Sequence, residues 1–386
     1  MDNCSTVQTY APESVDLFSV RAVFSCLYCL VWIAGVVGNT LVLYVLTFNQ
    51  VSLSVRTVFV GCLAASDLLM CFFSLPVTAV SIFARIWIFP PIFCKLIGVF
   101  QGGSIFVSSF TLTVIALDRC ILILKPNREV VNFQRATSAV VAIWVLGYSL
   151  ALPVGIYSGI VSYDGICGSF CEEQWPDYSE ELGKSDIRRF YGLSVLLLQF
   201  GIPAVISSIC YYMISRVMSN QLERRRGHKL RPESEEKLVS RKTRANRMMI
   251  VMVLGFIVAW MPLNAINLYR DLTNFTQTQW YSTVFGLAHV CAMCSAVLNP
   301  IIYSWFNPQF RTSITALFSR TLSTNKNKMV AYPSNFTEIA PLTQEKTRPF
   351  QTGTNSTLVL NQNSPSPAQN PSSDTLDDYQ AGDQLL

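Results

Sequence analysis

Seven stretches of this chain are apolar for long enough to cross a bilayer, and nothing else in the sequence constrains the fold as tightly. A hydrocarbon core of about 30 Å takes roughly 20 apolar residues as a helix. Blocks of that length fall at about residues 20–47, 56–84, 91–124, 136–160, 189–218, 244–271 and 280–304. With 51% of residues apolar and 14% charged, the composition agrees with an integral membrane protein. The first twenty residues are polar and acidic rather than basic then apolar. No cleavable signal peptide is therefore expected, and the first span targets the chain.

Lysine and arginine are retained on the cytoplasmic side of a membrane. The segment between the fifth and sixth blocks carries Arg224, Arg225, Arg226, Lys229, Arg231, Lys237, Arg241, Lys242 and Arg244, and that between the third and fourth carries Lys125, Arg128 and Arg135. Both are expected inside, which puts the N-terminus outside and the C-terminus inside. Between two spans such a basic run reads as topology and a surface for lipid or partner, not as a nucleic-acid site. The loop between the fourth and fifth blocks is acidic instead, with Asp164, Glu172, Glu173, Asp177, Glu180, Glu181 and Asp186. It is either a mouth that concentrates cationic ligands or a merely solvated loop.

Four cysteines, Cys4, Cys94, Cys167 and Cys171, fall on the outer side, and four allow three pairings. The favoured bridge joins Cys94 to Cys171, tying the top of the third block to the outer loop, with Cys4 to Cys167 as a second. Asn3 and Asn274 head glycosylation sequons on the same side. From about residue 320 the chain is rich in Ser, Thr, Asn, Gln and Pro, so a disordered tail with phosphorylatable hydroxyls is expected.

Residues that a bilayer should exclude are spaced to share helix faces. Intramembrane ionisable groups normally face a bundle interior and serve function. On the sixth block Trp260, Asn264, Asn267 and Asp271 fall at i, i+4, i+7 and i+11, one stripe rising about 16 Å. Cys94, Gln101 and Ser108 are seven apart on the third block, and His289, Ala292, Ala296, Asn299 and Tyr303 follow one face of the seventh. The upper interior then offers Gln101, Asn267, His289, Thr78 and Gln199 as neutral hydrogen-bonding groups and Asp271 as a carboxylate, which together read as a ligand site. Polar side chains also join helices to one another in membranes, and for Thr78 and Gln199 taken singly that is the better reading. The lower interior reads as a conformational switch. Asp67, Ser108 and Asn299 are placed to hold a cation or waters, Pro262 and Pro300 remove backbone hydrogen bonds, Trp260 sits beside one kink, and Arg119 can pair with Asp118.

In order along the chain stand Gly38-Asn39-x-x-Val42, Leu63-Ala-x-x-Asp67, Cys94, Asp118-Arg119, Trp144, Pro203 with Tyr211, Trp260-x-Pro262 and Asn299-Pro300-x-x-Tyr303, then Phe306 and Phe310. This set resembles the rhodopsin-like (class A) G-protein-coupled receptors over about residues 20–319. The resemblance implies an all-α membrane protein, a seven-transmembrane helix bundle with a short amphipathic eighth helix, flanked by an extracellular segment 1–19 and a cytoplasmic tail 320–386. Within the class the chain looks most like neuropeptide Y, invertebrate neuropeptide F and FMRFamide-like peptide receptors, since Gln199, Asn267, Asp271, His289, Thr78 and Gln101 match pocket positions of that group.

By resemblance, the ligand is an amidated neuropeptide ending in Arg-Phe-amide or Arg-Tyr-amide, its arginine meeting Asp271 and its terminal segment Gln101. The receptor sits in the plasma membrane and signals through a heterotrimeric G protein, Gi/o by analogy, when span six swings below Pro262 and exposes Arg119, Tyr211 and Tyr303. Arrestin and receptor kinases are further expected partners. The chain departs from the usual pattern at Cys120, Ala259, Ser109 and Ser295, and Lys242 occupies a position where some receptors carry an acid that locks Arg119.

Other classes fit less well. A transporter would show repeat symmetry and broken helices at corresponding positions, and the sequence has no fixed-period repeat. A retinal protein needs a lysine in 280–304, which is lacking. With two histidines, His228 and His289, and no His-Glu-x-x-His, the chain offers neither catalytic nor metal residues, and no cofactor is expected.

Overall fold

A computed structural model of the chain describes residues 4–48, 55–124, 132–179, 185–226, 233–273, 280–306 and 310–316. The glycosylation candidates Asn3 and Asn274, the tail 320–386 and the Lys242 side chain lie outside the described residues.

Among the described residues, seven helices are long and apolar enough to cross a membrane. Span 1 is Phe18–Phe48, span 3 Pro91–Leu124, span 4 Phe133–Tyr157, span 6 Glu233–Leu272 and span 7 Tyr281–Phe306. Span 2 runs through Val55–Leu69, a π-turn at Met70–Ser74 and Leu75–Ala84, and span 5 through Asp186–Leu196, a π-turn at Leu197–Gly201 and Ile202–Arg226. Residues 310–316 form a further helical stretch whose Phe310 is buried against the bundle.

Three boundaries depart from the sequence expectation in ways that bear on the site. Span 4 stops at Tyr157 rather than near 160, because the chain turns into a hairpin of β1, Ser158–Val161, paired antiparallel with β2, Phe170–Glu173. Spans 5 and 6 continue well past the apolar blocks to Arg226 and back to Glu233. Helix propensity there is carried by Arg, Glu, Lys and Gln, which need no lipid to stay helical.

Each π-turn precedes a proline, Pro76 or Pro203. Proline lacks an N–H and clashes with the carbonyl four residues back. At Pro203 that carbonyl belongs to Gln199, and the Ser109 hydroxyl of span 3 donates to it. A hydroxyl where an apolar residue is usual thus has a local cause.

Span 3 is the central helix, packing against spans 2, 4 and 5 and touching span 6, while span 7 packs on spans 1, 2 and 6. The interior is a continuous cluster including Leu63, Met249, Met252, Trp260, Met293 and Tyr303. Outside lies a belt of exposed Leu30, Ile33, Val145, Val205, Val258 and Leu287, a surface suited to hydrocarbon and not to water. Lipid supplies no hydrophobic force between helices, so close approach through small residues and interhelical hydrogen bonds holds the bundle. A Cβ on Gly38 would lie 2.9 Å from Pro300. Between spans 2 and 3, Ser66 donates to the Ser104 carbonyl at 2.9 Å and shares a 3.2 Å hydrogen bond with Ser108.

Candidate functional site

The polar groups of the bundle interior sort into two levels. In the half away from the hairpin, Asn299 donates from Nδ2 to Asp67 at 2.8 Å, and both are buried. Ser108, expected to join them, instead shares its hydrogen bond with Ser66, a residue the sequence reading left out. Helical rotation places position 108 toward the span 2 seam. Trp260 donates from its indole to Ser295 at 3.1 Å. Arg119 pairs with its neighbour Asp118 at 2.9 Å. Among the described residues, the buried hydroxyls of Tyr211 and Tyr303 have no hydrogen-bond partner. Among the described residues, no three His, Cys, Asp or Glu side chains converge as a metal centre.

The hairpin end is tied down by two disulfides. Cys94 of span 3 bonds to Cys171 of β2, and Cys4 bonds to Cys167 in the hairpin loop. Ser5 continues the tether, accepting a backbone bond from Cys167 and donating one to Gly165. The chain then runs through helical turns at Val7–Tyr10 and Ser14–Asp16 into span 1. Arg85, which ends span 2 in the left-handed region at φ 57°, anchors this strap. Its guanidinium donates to Glu13 at 2.7 Å, to Asp16 at 2.8 Å and to the Ala11 carbonyl at 2.6 Å, with the Arg85 and Glu13 side chains only 6% and 7% exposed. Glu13 also accepts from the backbone N–H of Ser282, at the start of span 7. The strap therefore joins spans 2 and 7, and its acids showed no sequence signal because their partner lies about seventy residues away.

Two cavities open at this end. One, of about 130 Å³, is lined by Glu173, Arg188, Tyr191, Asn264, Asn267 and Asp271. The other, of about 400 Å³, is lined by Thr78, Arg85, Trp87, Phe170, Glu172 and Glu173 among others, so Glu173 borders both. Asp271 stands near the C-terminal end of span 6, where an acid opposes the helix dipole. Guanidiniums compensate: Arg188 and Arg270 each lie 3.4 Å from its carboxylate, and Arg189 donates to its carbonyl at 2.8 Å. Arg188 also faces Glu173 at 3.5 Å, and Trp175 donates its indole N–H to that acid at 2.9 Å.

Of the loop's acids, Glu172, Glu173, Asp177 and Asp186 are held by partners, while Glu180 and Glu181 lie outside the described residues. Asp186 pairs with Arg189. Tyr163 donates to Glu172 at 2.8 Å, and burial together with that carboxylate pushes the tyrosine up to about 12. Asp177 accepts from the Ser185 hydroxyl and from the Ile187 N–H at 2.9 Å, which hold its carboxyl below the usual range. Of the expected ligand residues, Asp271 and Asn267 share one cavity and Thr78 lines the other. Gln199 is buried and donates to the Gly102 carbonyl, Gln101 accepts from Ser74 at 2.8 Å, and His289 is fully enclosed beside Tyr28 at 3.1 Å. These three join helices here, and Arg188, Arg270 and Arg85 are the site groups that the sequence did not single out.

The chain matches the family model of the 7 transmembrane receptor (rhodopsin family) over residues 38–303. It is 67% identical to neuropeptide receptor 3 of Caenorhabditis elegans over 393 aligned positions, covering 100% of this chain and 99% of that one. It is 30% identical to the neuropeptide F receptor of Drosophila melanogaster over 81% of this chain and 67% of that one. With the human neuropeptide Y receptor type 2 the identity is 31%, over 80% of each chain. Seven membrane helices joined by the ordered motifs, together with these relatives, place the chain in the rhodopsin family of seven-transmembrane receptors, as a G-protein-coupled neuropeptide receptor of the neuropeptide Y and F type in the plasma membrane rather than an enzyme.

Proposed function

We propose that the ligand is an amidated peptide ending in Arg-Phe or Arg-Tyr and that the receptor signals through Gi/o, with the hairpin end extracellular and the basic ends of spans 5 and 6 cytoplasmic. The observation that carries this reading is Asp271, a carboxylate lining a cavity beside Asn267 and held, among the described residues, by contacts of 3.4 Å to Arg188 and Arg270. Ion pairs of that length, partly open to water, exchange partners at little cost. A ligand guanidinium takes the carboxylate while Arg188 stays with Glu173, 3.5 Å away on its other side. The peptide amide then reaches toward Thr78, Gln101, Gln199 and His289, which requires those helix contacts to open.

Span 6 turns below Pro262 with Trp260 leaving Ser295. Asp67, Ser108 and Asn299 repack, and Arg119, Tyr211 and Tyr303 become the G-protein surface. The unpartnered Tyr211 and Tyr303 hydroxyls support that role, since a buried hydroxyl without a partner favours a second packing in which it finds one. Arrestin and receptor kinases act on the tail, and Asn3 and Asn274 carry glycans.

The test is expression with a promiscuous G protein and a panel of Arg-Phe-amide and Arg-Tyr-amide peptides beside their free acids. The reading expects response to the amides and its loss with the acids; silence of a surface-expressed receptor would remove the ligand assignment. A second reading, a peptide of another class, is favoured by the balance around Asp271. Two guanidiniums there would equally receive an acidic side chain, and acidic peptides belong in the same panel.

A further inference from the structure

Gly192 of span 5 stands so near Asp271 of span 6 that a Cβ on it would lie 3.1 Å from the carboxylate Oδ2, tighter than ordinary van der Waals contact. Both residues line the cavity of about 130 Å³. The hairpin-end half of span 5, Asp186–Leu196, packs on span 6 here. Arg188 and Gly192 are four apart on that helix and so share one face, from which Arg188 reaches Asp271 at 3.4 Å. The rotation of the helix is held from another side. Tyr191 donates to the Leu150 carbonyl of span 4 at 3.0 Å, and its ring lies 5.3 Å from that of Trp175. The bare backbone at position 192 is thereby kept toward the acid.

Glycine inside a helix is less favourable than alanine, because more backbone freedom is lost on ordering it. What it supplies here is room. With no side chain at 192, the gap between spans 5 and 6 stays open beside Asp271. A guanidinium is planar and presents its N–H donors in a fixed fork, so it must lie flat against the groups that receive it. Asn267 and Asn264, one and two turns deeper on span 6, also line the cavity, and their amide oxygens accept donors that the carboxylate does not take. An ammonium is a compact charge on a flexible stem and meets Asp271 without filling the gap. We infer that Gly192 is a specificity-determining residue: by leaving this gap open it lets the site take a guanidinium and prefer it to an ammonium. The inference rests on the reading above that Asp271 receives the peptide's cation. An alanine at 192 pushes the carboxylate aside from its place near Arg188 and Arg270, and a valine occupies the gap itself.

The test uses the full receptor in nanodiscs and two probes, an Arg-Phe-amide peptide and the same peptide with lysine in place of arginine, with affinities measured by calorimetry. The wild-type receptor is expected to prefer the arginine peptide. Gly192→Ala should weaken that peptide about tenfold, the lower end of what one methylene decides in a fitted pocket. Gly192→Val should weaken it further. The lysine peptide should lose less in both variants, so the preference shrinks, whereas Asp271→Asn should weaken both peptides. The ratio of the two affinities is the readout, because damage to the fold lowers both alike. No preference in the wild type, unchanged arginine affinity in Gly192→Val, or equal loss of both peptides would overturn the proposal. If Asp271→Asn still weakens both in that case, the ligand reading stands and only the role of Gly192 falls. Absence of binding to the wild type, or affinities indifferent to Asp271→Asn, would instead remove the ligand reading and this proposal with it.

Discussion

Asn39 of span 1 donates from Nδ2 to the carbonyl of Ala296 in span 7 at 2.9 Å. Ala296 is four residues before Pro300, so its carbonyl is one that proline leaves without a helical partner. The same amide nitrogen donates to Gly35 at 2.9 Å, and the close approach of Gly38 to Pro300 brings the two helices into reach. The pairing of a proline-freed carbonyl with a donor from another helix recurs at Pro203, where Ser109 serves the Gln199 carbonyl.

Asn39→Leu is expected to lower receptor stability by about 1–3 kcal/mol, the cost of leaving a buried carbonyl unserved. The measurement is thermal unfolding in detergent without ligand, and a midpoint equal to wild type would show that the carbonyl finds another partner.

Ser109→Ala should destabilise the bundle for the same reason, while Ser109→Ala combined with Pro203→Ala should recover most of the loss. An alanine at position 203 returns an N–H to the Gln199 carbonyl. A double-mutant cycle on unfolding is expected to give a coupling of about 1 kcal/mol; additive losses would mean that Ser109 acts elsewhere.

Arg85→Ala is expected to cost about 3–5 kcal/mol, because Glu13 and Asp16 then lose the guanidinium that neutralises them in a buried site. Arg85→Ala with Glu13→Gln should be milder than Arg85→Ala alone. Surface expression and limited proteolysis of residues 4–17 report the outcome, and equal loss in both would argue that the left-handed backbone at Arg85 matters more than the charge.

At the ligand mouth, Arg188→Gln should raise the potency of a cationic peptide by up to about fivefold, the upper end for releasing a partly exposed ion pair. Asp271→Asn should lower it at least about tenfold, as expected when one partner of a buried charge pair is truncated. Concentration-response curves check both, and potency unchanged by Asp271→Asn would remove that residue from the mechanism.

Asp177 provides a pH test outside the membrane. Its folded carboxyl lies below the ordinary range, chiefly through the Ser185 hydroxyl and then the Ile187 N–H. A depressed acid contributes stability above its unfolded value of about 3.9 and loses it as pH falls through the lower folded value. Protection of the amides at residues 185–188, measured against their intrinsic exchange rate at each pH, should therefore hold down to mildly acid pH and fall only below that range. Loss of protection near neutrality would point to a different group.

The sequence by itself determined the seven spans, because a continuous apolar run of about 20 residues can satisfy its backbone bonds in hydrocarbon only as a helix, closed barrels being built from shorter alternating strands. It also put Asp67 and Asn299 on one interior with Ser108, as a group to hold a cation or waters, and favoured the Cys94 to Cys171 bridge; the direct Asp67–Asn299 contact is a finding of the structure. Local prolines marked where carbonyls would be freed, yet nothing nearby in the chain named the donors. Those came from other helices, Asn39 for Ala296 and Ser109 for Gln199, and Ser108 likewise met Ser66 rather than Asp67. Only the tertiary structure decided that Arg85 binds Glu13, that three arginines surround Asp271, and that His289 is sealed against Tyr28. Helical periodicity assigns a residue to a face, but the rotation and depth of each helix against its neighbours decide which partner that face meets, and those are set by packing of the whole bundle.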